Sequence, residues 1–355
     1  MHNDSANNNG WFMPAEWARH AATWMVWPHN QALWESTWGV TLADVQVDFA
    51  RVANAIARFE PVKMVVDPSA VDQARALCGA NIELIEIAVN DSWCRDSGPS
   101  FICHPQQGLA GVSWRFNAWG AKSAHDLDEG LARRVLNGLG LPCFGSFLAN
   151  EGGAIHVDGD GTLITTESVL LNPNRNPGLG LGKKDIEEIF VRLLGVNKVI
   201  WLPGDPDYVT GDMTDGHVDG VCAFARPGVL LVDATHDKSS VYAQVAKENR
   251  RALELATDAR GRGFELIDLY EASAAVDTDA EVFCASYTNF YLCNDAVIMP
   301  AYGIDADQQA AATLQQAFPG RTVVPVQINQ LAHGGGGVHC ITQQQPAWPL
   351  AGGKQ

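Results

Sequence analysis

Short apolar runs along the chain alternate with longer stretches in which apolar residues recur every three or four positions. The short runs are rich in β-branched and aromatic residues, and most are bounded by Gly, Pro, Asp or Asn, which is typical of β-strands. They cover residues 62–66, 82–88, 100–103, 111–114, 162–166, 198–201, 221–224, 229–232, 296–299 and 322–325. The periodic stretches at 41–59, 184–194 and 239–256 predict amphipathic helices. We therefore expect a mixed α/β chain without a long linker.

Polar and Gly-rich segments interrupt this pattern at intervals along the chain. They lie at residues 93–99, 150–153, 211–220, 286–289 and 334–340. We take one residue to mark each segment. These residues are Asp96, Glu151, His217, Tyr287 and Cys340, and successive ones are 55, 66, 70 and 53 residues apart. Such near-regular spacing predicts about five structural modules, each contributing one loop to a common centre.

Four consecutive glycines, Gly334 to Gly337, stand just before Cys340. Glycine loses more backbone entropy on folding than other residues and packs no side chain, so such a run must serve a purpose. The glycines could let the backbone adopt a positive φ, or let a ligand approach it closely, beside a nucleophilic thiol. The alternative is a flexible loop before a buried cysteine, because free Cys is often buried.

A thiol nucleophile needs a partner that moves protons, since only a few per cent of an ordinary Cys is ionised at pH 7. His217 and Asp219 are two residues apart and are flanked by glycines. In an extended backbone both side chains would project from the same face. We therefore predict a base and a carboxylate at one site, with a surface turn as the alternative.

Two further carboxylates lie in polar segments between predicted strands. Asp96 follows Trp93 closely, and a carboxylate beside an indole can hold a planar cation through charge-assisted hydrogen bonds and a cation–π contact. Glu151 precedes the pair Gly152-Gly153. Both segments also have ordinary turn composition, so each one alone is compatible with a simple turn.

Charge and composition restrict the partners and the compartment. The 355 residues include 24 Lys and Arg against 41 Asp and Glu, a formal net charge of −17, with no run rich in Lys or Arg. Nucleic acid is therefore not expected as a partner. Residues 1–20 lack a basic segment followed by an apolar one, and no window approaches about 18 uninterrupted apolar residues. We expect a cytoplasmic protein that contacts no membrane and keeps its eight cysteines reduced.

Metal and nucleotide motifs are weak in this chain. Residues 158–161 resemble the start of a calcium loop, but they lack the later Glu and lie between two predicted strands, which favours a hairpin turn. Residues 178–184 fail the spacing of phosphate-binding glycine motifs. Neither His217 nor His339 lies in a zinc-type spacing. We expect no metal and no cofactor.

Taken together, the polar segments resemble the agmatine deiminases of the guanidine-modifying pentein superfamily. The resemblance spans about residues 11 to 346 in the order of the family. The matching stretches are residues 13–17, 23–28, 93–99, 116–120, 150–157, 171–177, 214–220, 286–291 and 334–344. It implies a single catalytic domain over residues 1–355 with short tails. It also implies a pentein fold, a five-bladed α/β propeller with pseudo-fivefold symmetry.

The resemblance also implies roles for individual residues. Cys340 falls on the nucleophile of the family and His217 on its general acid and base. Glu151 falls on the carboxylate that pairs with the histidine and the substrate. Asp96 and Asp219 fall on the catalytic carboxylates that hold the guanidinium.

Two residues are implied to lie beside the substrate, namely Trp93 and Gly337. Relatives often carry Met at the position of Cys94, and Asn at that of Gly220 or Gly337. These departures bear on the tail of the substrate more than on the reaction.

The implied activity is the hydrolysis of agmatine to N-carbamoylputrescine and ammonia through a covalent amidino-cysteine, without cofactor, in a homo-oligomer. Another guanidine, such as arginine, methylarginine or peptidyl arginine, is an alternative substrate. A non-catalytic guanidine-binding propeller is a further alternative. Such a protein would need the carboxylates but not Cys340 together with His217.

Overall fold

The computed structural model describes residues 10–206, 208–272, 276, 280 and 282–349. Most of both predicted tails therefore lies outside the described residues. Sixteen strands are present in the described part: β1 (His20–Val26), β2 (Val62–Val66), β3 (Ile82–Glu86), β4 (Ser100–His104), β5 (Gly108–Arg115), β6 (Cys143–Ala149), β7 (Ile155–Val157), β8 (Thr162–Thr166), β9 (Lys198–Leu202), β10 (Cys222–Arg226), β11 (Val229–Ala234), β12 (Glu265–Tyr270), β13 (Tyr291–Cys293), β14 (Ala296–Ala301), β15 (Thr322–Gln327) and β16 (Thr342–Pro346).

Helices connect these strands. The α-helical segments of the described part are α1 (Leu42–Ile56), α2 (Val71–Leu77), α3 (Cys94–Ser97), α4 (Ala118–Ala121), α5 (Leu131–Gly138), α6 (Glu167–Leu170), α7 (Lys183–Leu194), α8 (Val241–Leu255), α9 (Ala306–Ala317) and α10 (Asn329–Ala332). Short 3-10 turns lie at Pro68–Ala70, Asp128–Gly130, Gly152–Ala154 and Val218–Gly220, and a π-helical turn at Leu33–Thr37. None of the described helices combines the length and apolar character needed to cross a membrane.

The strands form five separate sheets with a common plan. Four sheets have three strands each, in the orders β4-β5-β6, β7-β8-β9, β10-β11-β12 and β13-β14-β15. In each, the first two strands are antiparallel and the third is parallel to the second. A parallel pair needs a crossover connection, which explains why α5, α7, α8 and α9 lie between the second and third strands. This repeat matches the predicted five modules.

The remaining sheet joins the two ends of the described chain. Its order is β16-β1-β2-β3, and β16 pairs antiparallel with β1 so that Trp24 lies opposite Gln343. The last strand therefore takes the place that the first strand has in the other four sheets. This pairing brings the Gly-rich segment before β16 next to the junctions of the other sheets.

Local sequence explains the helix that covers this sheet. Thr41 caps α1 by accepting a hydrogen bond from the backbone N–H of Asp44. The predicted apolar face is fully buried at Val45, Phe49 and Ile56. Phe49 meets Trp34 edge to face with ring centroids 6.4 Å apart. The recurrence of apolar residues every three or four positions therefore predicted α1 correctly.

A smaller expectation is also confirmed. Residues 158–161 form the turn between β7 and β8, where Asp158 Oδ1 accepts hydrogen bonds from the backbone N–H groups of Asp160 and Thr162. The eight cysteines are all free thiols.

A short tight segment precedes the first strand of each sheet. These junctions are Cys94–Ser97 before β4, Gly152–Ala154 before β7, Val218–Gly220 before β10, residues 286–289 before β13 and residues 338–340 before β16. All the residues with predicted catalytic roles lie in or directly beside these five junctions.

Candidate active site

Three junctions meet at Gly153. A Cβ atom placed on Gly153 would lie 2.6 Å from His217 Nδ1, 2.9 Å from Asp219 Oδ2 and 3.0 Å from Asp96 Oδ1. The backbone N–H of Gly153 donates to Asp96 Oδ1 at 3.0 Å. The absence of a side chain at Gly153, before β7, therefore allows the carboxylate of Asp96, before β4, to converge with His217 and Asp219, before β10.

His217 is buried between carboxylates. Its Nε2 lies 3.4 Å from Glu151 Oε2, and its Nδ1 lies 3.8 Å from Asp96 Oδ1. Burial opposes a charge on the imidazole, but Asp96, Glu151 and Asp219 outweigh it and raise the pKa of His217 to about 9. His217 is therefore an imidazolium at neutral pH and has a proton to give. Its Nδ1 has no hydrogen-bond partner among the described residues.

The backbone at His217 differs from the expected extended segment. Val218–Gly220 is a 3-10 turn. The extended backbone on which the two side chains would share one face is therefore not present. The side chains of His217 and Asp219 nevertheless both reach the space beside Gly153, because the tight turn redirects them there.

Glu151 is held by a buried arginine that sequence reasoning missed. Arg175 Nε donates to Glu151 Oε1 at 2.7 Å, and its Nη1 donates to Asp215 Oδ2 at 2.6 Å. Burial alone would raise the pKa of Glu151, but Arg175 and His217 hold it below its ordinary value. Glu151 is thus a fixed anion that orients His217. Arg175 lies in a segment of turn-forming residues, 172–177, which gave no sign of this role.

The indole that fixes Asp96 belongs to Trp119 and not to Trp93, which is nearer in the sequence. Trp119 Nε1 donates to Asp96 Oδ2 at 2.9 Å. Burial raises the pKa of Asp96, and Asp219 and Glu151 raise it further, although His217 opposes them. A cation bound beside Asp96 would lower this pKa again and favour the carboxylate.

Cys340 faces Asp219 and Asn289. Its Sγ lies 3.3 Å from Asn289 Oδ1 and 3.7 Å from Asp219 Oδ2. Burial and the negative charge of Asp219 raise the pKa of the thiol well above its ordinary value, while the backbone of Gly337 opposes them. Among the described residues, no hydrogen bond joins Cys340 to His217.

Asp219 is held by a hydrogen-bonded network of residues to which the sequence analysis gave no role. His339 lies 2.8 Å through Nδ1 from Asp219 Oδ2 and 2.8 Å through Nε2 from Glu16 Oε1. Arg95 Nη1 donates to the same Glu16 oxygen at 3.4 Å. Burial and Arg95 lower the pKa of His339, but Glu16 and Asp219 raise it by more, so the net shift is upward. Only adjacency, with His339 beside Cys340 and Arg95 beside Asp96, hinted at these roles.

The same region contains a set of three metal-type ligands. Ligand atoms of Glu16, His156 and His339 all lie within 4.8 Å of one another. Glu16 already pairs with Arg95 and His339, so the positive charge that a metal ion would bring is supplied there by side chains. The donor set is therefore better matched to an ion-pair network than to a metal.

The four glycines before Cys340 are needed for packing. A Cβ on Gly334 would lie 2.8 Å from the ring of Trp34, and one on Gly336 would lie 2.3 Å from the ring of Trp93. Within the run only Gly335 has a positive φ, of 81°. Trp93 thus packs beneath this run and against Trp34, with ring centroids 5.9 Å apart.

The predicted substrate contacts of two residues are not tested by this geometry. A Cβ on Gly337 would lie 2.7 Å from Asn289 Oδ1, the atom that contacts the thiol. Gly337 therefore lies beside the nucleophile. Its substrate role and that of Trp93 stay predictions.

A cavity of about 180 Å³ opens beside the thiol. His217, Asp219, Asn289 and Cys340 line one end of it. The other lining carboxylates are Asp205, Asp212, Asp233 and Glu271. Among its described lining residues there is no Lys or Arg. A larger recess of about 1,100 Å³ shares Val282 with this cavity.

Comparison with known proteins assigns this arrangement to a family. The family model for Porphyromonas-type peptidyl-arginine deiminase matches residues 12–346. The chain belongs to this family. An agmatine deiminase of Ectopseudomonas mendocina is 39% identical over 363 residues, covering 96% of both chains.

Solved structures agree with the deiminase family. The structure of the agmatine deiminase of Enterococcus faecalis is similar to this chain with a TM-score of 0.87 and 34% identity, over 95% of this chain and 96% of that one. DDAH from Pseudomonas aeruginosa, at 13% identity and a TM-score of 0.52 over 92% of this chain and 99% of that one, shares the fold alone. The pentein fold that the sequence predicted is confirmed.

Proposed function

We propose that this chain is an agmatine deiminase, which hydrolyses agmatine to N-carbamoylputrescine and ammonia. The observation that carries the proposal is the convergence of Asp96, Asp219 and His217 around Gly153, with the thiol of Cys340 3.7 Å from Asp219 beside a cavity lined by carboxylates. The names of the relatives support the same reaction. A protein that only bound guanidine would have no use for a thiol and an imidazolium around one point.

The two aspartates would hold the guanidinium. Its positive charge is delocalised, which makes its carbon a poor electrophile, so the site must fix that charge. Asp219 contacts His339 and Cys340 through Oδ2, which leaves Oδ1 without a hydrogen-bond partner among the described residues. Asp96 is held by Trp119 and Gly153. The two carboxylates would therefore meet the substrate in a preset orientation.

The substrate would help to ionise the nucleophile. Burial and the neighbouring carboxylate raise the pKa of Cys340. A guanidinium bound between Asp96 and Asp219 places positive charge near the sulfur and lowers that pKa again. Thiolate would therefore form chiefly when substrate is present, which limits side reactions of the free enzyme.

The reaction would proceed in two halves. The thiolate of Cys340 attacks the guanidinium carbon, and His217 donates its proton to the departing nitrogen, so that ammonia leaves and an amidino-thioester remains. Neutral His217 then takes a proton from water, and the hydroxide adds to the same carbon. Collapse breaks the carbon–sulfur bond, returns the thiol and releases the ureido product.

The cavity favours agmatine over the alternative guanidines. Arginine carries an α-carboxylate, and no described residue that lines the cavity is a cation able to pair with it. Lys122 lines the neighbouring recess but pairs with Asp215 at 2.6 Å. The volume of about 180 Å³ lies below the roughly 300–1,000 Å³ typical of drug-sized ligands, which suits a small substrate better than a peptide.

The proposal also covers the domain organisation, the compartment and the partners of the enzyme. We propose a single catalytic domain over residues 1–355, because β16 closes the first sheet with β1. We also propose a cytoplasmic homo-oligomer that binds neither nucleic acid nor membranes. The net charge of −17 supports the exclusion of nucleic acid.

The test is turnover of agmatine, arginine and a peptidyl arginine, with the ureido product measured for each. We expect activity with agmatine, slow inactivation by iodoacetamide that quickens as the pH rises and more thiolate forms, and indifference to a chelator. Cys340→Ala should be inactive, while Cys143→Ala, a matched change at a half-buried thiol of β6, should stay active. Product from arginine but not from agmatine would refute the substrate, and full activity of Cys340→Ala would refute the covalent mechanism.

A further inference from the structure

The cavity has a second end that the proposed chemistry does not use. Asp233 lies there, half-buried at the end of β11. Ser286 Oγ donates to Asp233 Oδ1 at 2.6 Å. Asp233 Oδ2 has no hydrogen-bond partner among the described residues. One carboxylate oxygen of the cavity wall is thus fixed in position and the other is open to a ligand.

Two other carboxylates of the wall are already engaged. Asp205 accepts hydrogen bonds from the backbone of Val209 and Thr210 through its two oxygens. Asp212 likewise accepts from the backbone of Thr214 and Gly216. Both carboxylates shape the loop between β9 and β10, so neither has the free oxygen that Asp233 presents.

A single turn connects the two ends of the cavity. Residues 286–289 form this turn, in which the backbone N–H of Asn289 lies 3.4 Å from Ser286 O. Asn289 Oδ1 lies 3.3 Å from the sulfur of Cys340, while Ser286 holds Asp233. The Cα atoms at the ends of such a turn are less than about 7 Å apart. The turn therefore brings Asn289, which contacts the nucleophile, and Ser286, which holds Asp233, close together.

The extended length of the proposed substrate is comparable with the span of this turn. The guanidinium carbon and the amine nitrogen of agmatine are six bonds apart. Three bonds across a trans peptide span 3.80 Å, so six extended bonds span about 7–8 Å. An extended agmatine with its guanidinium carbon at Cys340 would bring its ammonium within reach of Asp233.

The wall between the two ends suits a methylene chain. Val282, Phe283, Ala285 and Val245 line it and are apolar. Cys284 also lines the cavity, and burial raises the pKa of its thiol to about 12, so it presents an uncharged side chain. Apolar walls with a few placed polar groups are typical of small-molecule sites.

The charge state of Asp233 fits a cationic ligand. Burial raises its pKa to about 8, with a further rise from Glu271, although Ser286 opposes them. A carboxyl group in this condition is ionised most readily when a cation is brought beside it. An ammonium supplies that charge and three N–H donors.

We propose that Asp233 binds the primary ammonium at the far end of a guanidine substrate and so selects amine-tailed guanidines over neutral ones. This inference rests on the proposed function. Asp233 is then a binding residue, and the reacting atoms lie beyond its reach.

The test compares agmatine with butylguanidine, which has the same guanidine and carbon chain but a neutral end. A hydrogen bond to a charged group is worth roughly a ten- to hundredfold change in affinity. In Asp233→Asn we expect kcat/KM for agmatine to fall by about that factor, with butylguanidine changed less than about threefold. Asp237→Asn, a matched loss of charge in the exposed loop after β11, should leave both substrates unchanged.

The turnover of butylguanidine separates the role of Asp233 from the deiminase function. Retained turnover of butylguanidine shows that Asp233→Asn is folded and catalytically intact. An unchanged ratio of agmatine to butylguanidine in this variant would overturn the role of Asp233 while leaving the deiminase function in place. Wild-type protein that turns over no guanidine would instead refute the proposed function.

Discussion

His339 provides a sharp test of how Asp219 is positioned, because two amides can replace its two nitrogens one at a time. The side-chain N–H₂ of Asn occupies the place of His Nδ1, and that of Gln occupies the place of Nε2. His339→Asn would therefore keep the hydrogen bond to Asp219 and lose that to Glu16. His339→Gln would do the reverse. Both variants remove the imidazolium, so the loss of charge is the same in each.

The structure gives the expected magnitudes. Both contacts are 2.8 Å long, are buried, and end on a carboxylate oxygen. A hydrogen bond to a charged group contributes about 1.5–3 kcal/mol. Each variant should therefore lower the free energy of unfolding by about 2–3 kcal/mol. Only His339→Gln releases Asp219, and we expect its kcat/KM for agmatine to fall roughly ten- to hundredfold, with His339→Asn reduced far less.

The assay combines denaturant unfolding of both variants with steady-state kinetics on agmatine. The expected outcome is similar stability and different activity. Equal activity losses in the two variants would refute the argument, because the hydrogen bond to Asp219 would then not be the contact that matters. Unchanged activity in His339→Gln would show that Asp219 keeps its orientation without His339.

Two further expectations follow from the geometry of the site. Gly153→Ala would bring a Cβ to 2.6 Å from His217 Nδ1 and should lower kcat/KM by on the order of a hundredfold, because catalysis is that sensitive to displacement. Gly138→Ala, in α5 and with open space around its Cβ, is the control, and equal activities of the two variants would contradict the crowding argument. The pKa of His217, about 9 in the folded protein against 6.5, implies about 3 kcal/mol of stabilisation that is fully present below pH 6.5 and is lost as the pH rises through 9. Unfolding measured at pH 6 and pH 9.5 should show this loss in wild type and not in His217→Gln, and parallel losses in the two proteins would rule it out.

Local patterning predicted those elements whose apolar residues follow a clear period. Strands β2 and β8 and helix α1 are of this kind, since each buries its apolar side chains against neighbouring elements. It missed β16, whose sequence Thr-Gln-Gln-Gln-Pro contains no aliphatic or aromatic run. The buried amides of β16 are satisfied over long distances, for example by Gln343 donating to Pro99 O. No local signal can predict such a strand.

The sequence by itself determined the residue types of the site, the near-regular spacing of its polar segments and the family that carries them. Only the tertiary structure decided which carboxylates remain free and which are engaged. Glu16 and His339 are 323 positions apart in the chain yet 2.8 Å apart in space. The raised pKa of the Cys340 thiol and the charge on His217 likewise exist only in the folded protein. The physical reason is that electrostatic energy depends on distance and burial, and the closure of five sheets sets both.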